Sequence, residues 1–498
     1  MSKKERTKKQ YPENFRGKMG FALPGFSIAF ASVVYGLFLQ YLTDYSGIDN
    51  AIGIAGFAAT FGTGFLVFTR IVDAIDDPLQ AFIMDNAKER KFGKYRWFTM
   101  ISAILIFVGL VMMFGIPDSL KSAAIPLAIW FGVGYIIYEM GYAFHAVMPV
   151  LQKVTKDANV RAKIMIFYRL ALVLGAIPAV FFVPIATVVN QGMNNMGKAV
   201  SLTCIVIVGI STLISLIGVA LLKEPYVEEQ AQVEEKQKVK ISDVIELFKK
   251  NKAMWVHDVA YTIGNMAYGL SSVMMVYFLK WQYCANYETG AVDNVQYAGI
   301  YSMATAISVP LQLLAPIIVG WIIKKVGAID KTARGCMLIA GIMYSLIFVC
   351  HVTGVLVATP YAYIALNSIA QIFTSLATVP FLLLNVEVAD YTEYQTGKNM
   401  TALISSVMNI FSKSSTALST AITGGILIIA NYSVDSVTGA YAGNVADIPG
   451  MVTNFTLFVG LVPAICCLVC WLMYKCLYPI TPEVRATMVE KLAETRNS

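Results

Sequence analysis

The feature that most constrains this chain is a succession of apolar runs, most of them long enough to cross a bilayer, which takes about 20 residues of helix. They fall near 19–42, 52–83, 97–116, 123–150, 164–190 and 198–222, then near 253–280, 296–323, 336–358, 361–386, 400–430 and 451–476. Six runs are thus separated from six more by a charged stretch, Lys223 to Lys252, rich in Glu, Gln and Lys. That stretch begins Lys223-Glu224-Pro225 and ends in the amphipathic segment Val244-Ile245-Glu246-Leu247-Phe248. Composition agrees: 57% of residues are hydrophobic and only 14% charged, against about a quarter charged in soluble domains. Lipid must therefore solvate most of the surface. The runs are too long and too rarely alternating for membrane β-strands. The expected fold class is an all-α membrane protein, with twelve transmembrane helices in two pseudo-symmetric six-helix bundles. Its parts would be a basic tail (1–18), a first bundle (19–222), a linker (223–252), a second bundle (253–476) and a tail (477–498).

The net charge of +7 reads as membrane topology rather than nucleic-acid binding, because the basic residues sit in particular loops. The N-terminal tail carries Lys3, Lys4, Arg6, Lys8, Lys9, Arg16 and Lys18. The loop after the second run carries Lys88, Arg90, Lys91, Lys94 and Arg96. The loops after the fourth and eighth runs carry Lys153, Lys156, Arg161 and Lys163, and Lys324, Lys325, Lys331 and Arg334. The intervening loops hold only Lys121 and Lys198. Basic loops stay inside, so both termini are expected in the cytoplasm of a multi-pass protein of the cell (inner, cytoplasmic) membrane. The hydrophilic first 18 residues lack the pattern of a cleavable signal. Cys466, Cys467, Cys470 and Cys476 crowd the last run and read as small packing residues, with no transition-metal site.

Charges inside membrane helices cost several kcal/mol and so point to function. The densest cluster is Arg70-Ile71-Val72-Asp73-Ala74-Ile75-Asp76-Asp77-Pro78 in the second run. At about 100° per residue, Asp73 and Asp77 share a face with Arg70, and Asp76 lies further round that side. One Arg cannot neutralise three carboxylates. The excess suits Na⁺ bound through oxygens, or a proton held on one acid. Tyr135 and Glu139 are four residues apart in the fourth run and share a face. Arg169, Glu387 and Lys413 follow in the fifth, tenth and eleventh runs. Glu139 and Arg169 could alternatively form a structural buried pair. Tyr35, Tyr135, Tyr138, Tyr142, Tyr261 and Tyr268 offer flat faces of the kind sugars prefer, although Tyr also serves in packing and anchoring. His145, His257 and His351 are read first as satisfied polar groups. No nucleophile–base set, P-loop or metal motif suggests an enzyme.

The second-run cluster, followed by Lys91-Phe92-Gly93-Lys94-Tyr95-Arg96, resembles the glycoside-pentoside-hexuronide:cation symporters of the major facilitator superfamily. Ala389-Asp390-Tyr391-Thr392-Glu393-Tyr394-Gln395-Thr396-Gly397 is a second point of resemblance. The resemblance implies the major facilitator fold. It also implies coupled uptake of a sugar, glycoside or hexuronide with Na⁺ or H⁺, Li⁺ being possible, with no other cofactor. The partners it implies are a small-molecule substrate, a monovalent cation and the lipid bilayer, for a functional monomer.

By this resemblance the cation set is Asp73, Asp76, Asp77 and Glu139. The substrate set is Tyr35, Tyr135, Glu139, Arg169, Asn409 and Lys413. Arg70, Asp390 and Glu393 form a charge network, and the basic loops exchange partners such as Asp85 and Glu393 between states. Some residues depart from the family pattern. Gly25-Phe26-Ser27-Ile28 stands where sugar-transporting members carry an Asp in the first helix. Ala143 and Phe144 stand where a Trp stacks on sugar. Ile136 replaces a Thr, Glu139 replaces an Asp, and Asp76 stands where an Asn is common. The alternative is a transporter of a non-sugar organic anion or amphipathic solute, drawn to Arg169 and Lys413 where the first-helix carboxylate is missing.

Overall fold

The computed structural model describes residues 11–88, 90–155, 158–225, 251–397, 401–435 and 438–497. Side chains are described there except at 70–82, 85–86, 152, 158–159, 162, 313, 316–317, 358, 401–403, 405–406, 409 and 493–497. The amphipathic segment 244–248 thus lies outside the described residues.

The described residues of the chain are mostly helical. Its main helices are α1 (Phe15–Gly36), α2 (Phe57–Asn86), α3 (Lys94–Phe114), α4 (Ala124–Ala143), α5 (Val147–Val154), α6 (Ala158–Ala179), α7 (Phe182–Met193) and α8 (Met196–Leu221). They continue as α9 (Lys252–Tyr283), α10 (Asn294–Val326), α11 (Ile329–Val352), α12 (Pro360–Thr396), α13 (Thr401–Ile429), α14 (Ile448–Thr456), α15 (Val462–Cys476) and α16 (Pro482–Asn497). Among the described residues, nine helical segments are long and apolar enough to cross a membrane, from Phe15–Tyr45 to Val445–Cys476. Large apolar side chains such as Ile125, Leu213 and Ile429 lie exposed on them, as lipid-facing residues must. The protein is therefore an integral, multi-pass membrane protein.

Helix ends follow local chemistry. Asn14, Asn195 and Asn251 precede α1, α8 and α9, and their side chains accept from Gly17 N, Lys198 N and Met254 N, satisfying donors the helix leaves open. Pro360 opens α12, where its missing N–H costs nothing. The second apolar run becomes helix α2 at Phe57 rather than near 52. Gly53 (φ 78°) and Gly56 (φ 75°) take the left-handed turn that precedes it. Pro178 closes α6 where the fifth run was expected to continue, and α7 resumes at Phe182.

Chain contacts divide the molecule into two units. The first comprises 1–231, 286–313 and 431–445, the second 232–285, 314–430 and 446–498. In the first, α1 packs on α6 and α8, and α3 on α4 and α8. Small residues allow this. A Cβ on Gly175 of α6 would collide with the Phe26 carbonyl, and one on Gly109 of α3 would sit 2.5 Å from Tyr138 N. Close approach at glycine is the usual source of helix association in lipid. In the second unit α9 packs on α12, α13 and α15, and α11 on α12 and α15. Cys466, Cys467 and Cys470 are buried on α15, and no disulfide joins the eight cysteines.

Buried acids fix the helix ends. In the first unit the Glu224 carboxylate accepts from Tyr95 N at 3.3 Å, Arg96 N at 2.7 Å and Lys153 Nζ at 3.0 Å. Arg96 in turn donates to the last carbonyls of α8, Val219 O at 2.8 Å and Ala220 O at 3.1 Å. At the other end Asp49 accepts from Gly56 N, Ala58 N and the Ser433 hydroxyl at 2.9, 2.6 and 3.0 Å. Asp44 accepts from Tyr432 Oη at 2.9 Å. In the second unit Glu387 accepts from Tyr478 Oη at 3.3 Å and from Arg485 Nε and Nη2. Arg485 also reaches Asp330, which Arg334 holds at 2.9 Å.

Candidate functional site

The first unit gathers three of the expected site residues. Tyr35 lies next to the buried Val34 near the end of α1, and Tyr135, Tyr138 and Glu139 lie within two turns of α4. Their rings meet. Tyr35 stacks on Tyr138 with centroids 4.7 Å apart and planes 15° apart, and its centroid is 6.1 Å from that of Tyr135. Phe38, Phe65 and Phe131 back this group through edge contacts, Phe65 standing edge-on to Tyr135. The shared face expected for Tyr135 and Glu139 appears as a direct contact: the Tyr135 hydroxyl donates to Glu139 Oε2 at 3.5 Å. Tyr135 is buried while Glu139 is half-buried. An aromatic wall therefore ends in a carboxylate that is still accessible. This combination provides apolar ring faces and a strong hydrogen-bond acceptor side by side.

The stretch Gly25-Phe26-Ser27-Ile28 is filled from α6. A Cβ on Gly25 would come within 2.7 Å of the Tyr168 ring. The Tyr168 hydroxyl lies 3.2 Å from His145 Nε2, and Ser27 Oγ accepts from Ser211 Oγ at 3.0 Å. Where the resemblance led one to look for an acid, the structure has a tyrosine ring, its histidine partner and a serine pair. Arg169, next to Tyr168, is exposed on α6. Among the described residues no ion pair joins it to Glu139, so the buried structural pair is not formed here.

Arg70, Asp73, Asp76 and Asp77 fall within helix α2, but their side chains lie outside the described residues, as do those of Asp85 and Asn409. In the second unit Lys413 is half-buried on α13, and Asp390 and Glu393 are half-buried near the C-terminal end of α12. Beside Lys413, Ser412 Oγ is 3.5 Å from the Tyr261 hydroxyl.

Three buried groups were missed or underread in the sequence. Arg485 lay in a stretch taken as a plain tail, although Thr481-Pro482-Glu483 spells a helix start: Thr481 Oγ1 accepts from Val484 N at 3.3 Å. Glu224 falls in the stretch expected to be a linker, as its second residue. His257, expected to be satisfied, bonds through Nδ1 to the Tyr474 hydroxyl at 2.7 Å, but its Nε2 has no partner among the described residues.

Comparison with known proteins adds the wider context. A family described as MFS/sugar transport protein matches residues 20–482. A lactose permease of Leuconostoc lactis is 25% identical over 99% of this chain and 74% of its own length. An isoprimeverose transporter of Lactiplantibacillus pentosus is 24% identical over 84% of this chain and 80% of its own. An Escherichia coli (strain K12) protein provisionally named a glycoside/cation symporter is 24% identical over 84% of each chain. Among solved structures, a nucleoside transporter superposes with a TM-score of 0.55 at 16% identity, covering 92% of this chain and all of the other. The E. coli fucose:proton symporter superposes with a TM-score of 0.50 at 13% identity, covering 92% and 97%. At these identities the structural likeness concerns the fold alone.

Proposed function

This chain belongs to the MFS/sugar transport family, and we propose that it carries a sugar, glycoside or hexuronide across the cell membrane together with a cation. It is a transporter, not an enzyme, and the activity is cation-coupled sugar symport. The proposed architecture is twelve helices in two six-helix bundles, 19–222 and 253–476, joined by the linker 223–252. Both termini lie in the cytoplasm in this reading, and the transporter works as a monomer. The observation that carries the substrate class is the Tyr35–Tyr135–Tyr138 wall ending at Glu139. Flat rings suit the apolar face of a pyranose, and a carboxylate accepts from its hydroxyls.

The coupling reading rests on α2. Asp73, Asp76 and Asp77, with Arg70 beside them, carry more negative charge than one guanidinium neutralises. A bound Na⁺ or proton removes the excess at these residues and at Glu139. Neutralisation lowers the cost of forming the occupied state and so favours sugar binding. Linkage then requires sugar to raise cation affinity by the same factor. The loaded halves exchange the side on which the site opens, as duplicated bundles do in alternating access. Arg169, Asn409 and Lys413 complete the substrate set, and Asp390 and Glu393 belong with Arg70 to the charge network.

A second reading has one specific observation behind it. The first-helix position next to Gly25 is occupied by Tyr168 and carries no acid, and Arg169 follows it. An anionic substrate, such as a non-sugar organic anion, meets less repulsion there. Competition distinguishes the two. Labelled-glycoside uptake in right-side-out vesicles should be displaced by neutral glycosides. Displacement by glucuronides alone would select the anion, and no uptake of any member of the panel would remove the sugar assignment.

A further inference from the structure

The second unit holds a buried acid that the coupling scheme does not use. Asp258, on α9, is 0% exposed, and neither of its carboxyl oxygens has a hydrogen-bond partner among the described residues. Beside it His257, also 0% exposed, has its Nε2 without a partner and its Nδ1 bonded to the Tyr474 hydroxyl. An ionised carboxylate enclosed without a cation or a donor costs several kcal/mol. Na⁺ is held by several oxygen ligands at once, and no second side-chain oxygen bonds to this carboxylate among the described residues. A proton needs only one.

We propose that Asp258 is a proton-binding site of the second unit, holding its proton in the conformation described and releasing it toward the cluster at Glu387. Between His257, the neighbour of Asp258 in α9, and that cluster stand Tyr474 and Tyr478. The Tyr474 ring lies 5.4 Å, centroid to centroid, from that of Tyr478. The Tyr478 hydroxyl donates to Glu387 Oε2 at 3.3 Å, and Arg485 holds that carboxylate. Asp258 is the seventh residue of α9, so it sits about 9 Å from that helix end at 1.5 Å rise per residue. The step moves one proton and no electrons. The O–H bond of the acid breaks, and the proton passes to water reaching the Glu387 end. The carboxylate left behind is stable only once water or a cation reaches it, so release is tied to a change in the packing around α9.

The charged and titratable groups on the elements packed against α9 set its proton affinity. On α9 itself they are His257 and Tyr261, whose rings stack 6.2 Å apart. Glu387 comes from α12, Lys413 from α13, and Cys470 and Tyr474 from α15, with Tyr478 just beyond. The described face of α14 contributes none.

The test uses the full chain reconstituted in lipid, with no sugar present, so its outcome is separate from that of the symport reading. Infrared spectra at neutral pH should contain the carbonyl band of a protonated carboxylic acid that Asp258→Asn removes. Asp258→Glu should move that band, and serves as the second variant if the amide fails to assemble. Tyr474→Phe should keep the band but slow its response to a jump in pH. A carbonyl region unchanged in Asp258→Asn or in Asp258→Glu would overturn the proposal.

Discussion

Asp49 and Glu224 are both buried acids of the first unit, and both sit at a helix N-terminus. Asp49 accepts from Gly56 N and Ala58 N at the start of α2. Glu224 accepts from Tyr95 N and Arg96 N at the start of α3. In each case the open N–H groups and the helix dipole welcome a negative charge. The third partner differs. Asp49 receives the neutral Ser433 hydroxyl, while Glu224 receives the Lys153 ammonium, in an ion pair whose acid side chain is fully enclosed. Of these two buried acids, the one in a loop with few cations is completed by a neutral donor and the one beside the basic loops by a charge. A basic residue of these loops, Lys153, thus also serves as a structural tie.

Five alanine substitutions would break or sharpen this contrast. Glu224→Ala should have the largest effect, about 3–4 kcal/mol, because it strands an ammonium and two helix donors at once. The apparent melting temperature of purified protein measures it, and Glu224→Gln should recover part of the loss. Arg485→Ala extends the test to the second unit. It leaves Glu387 enclosed with, among the described residues, only the Tyr478 hydroxyl, at an expected cost of about 2–3 kcal/mol, and pairing it with Glu387→Gln should restore some of that. Asp49→Ala should cost about 2 kcal/mol and Asp49→Asn about half as much, since the amide oxygen can still cap α2.

The smallest pair is the sharpest. Lys153→Ala and Ser433→Ala should each cost about 1 kcal/mol. The lysine effect should shrink as salt is raised from 0.05 to roughly 1 M, where screening falls to about 3 Å, and the serine effect should not. An equal response to salt would erase the distinction between the two ends.

Much of the helical order was legible because a bilayer demands long apolar runs, and those runs can be read directly. Their interruptions were harder. Gly53 and Gly56 delay α2 through positive φ, and Pro178 ends α6 early, so each break turns on one residue inside an apolar stretch. The i, i+4 spacing of Tyr135 and Glu139 correctly foretold their contact. The meeting of Tyr35 with Tyr138 could not be foretold, because it depends on how α1 packs against α4. Glu224 and Arg485 were hidden for the opposite reason. Each lies in a polar segment whose composition looks solvated, and only tertiary packing encloses it. Asp258 follows the same logic in reverse: one acid in an apolar run carries no pattern, and its lack of partners appears only when its neighbours are in place.

Gradient-driven uptake tests the central claim most directly. Right-side-out vesicles containing the wild-type chain or Asp77→Cys would be given a labelled glycoside, with and without an inward Na⁺ or proton gradient. Cation-coupled symport predicts accumulation above the outside concentration only when the coupling gradient is imposed, and its loss in Asp77→Cys. Accumulation indifferent to both gradients, or a fully active Asp77→Cys protein, would contradict it.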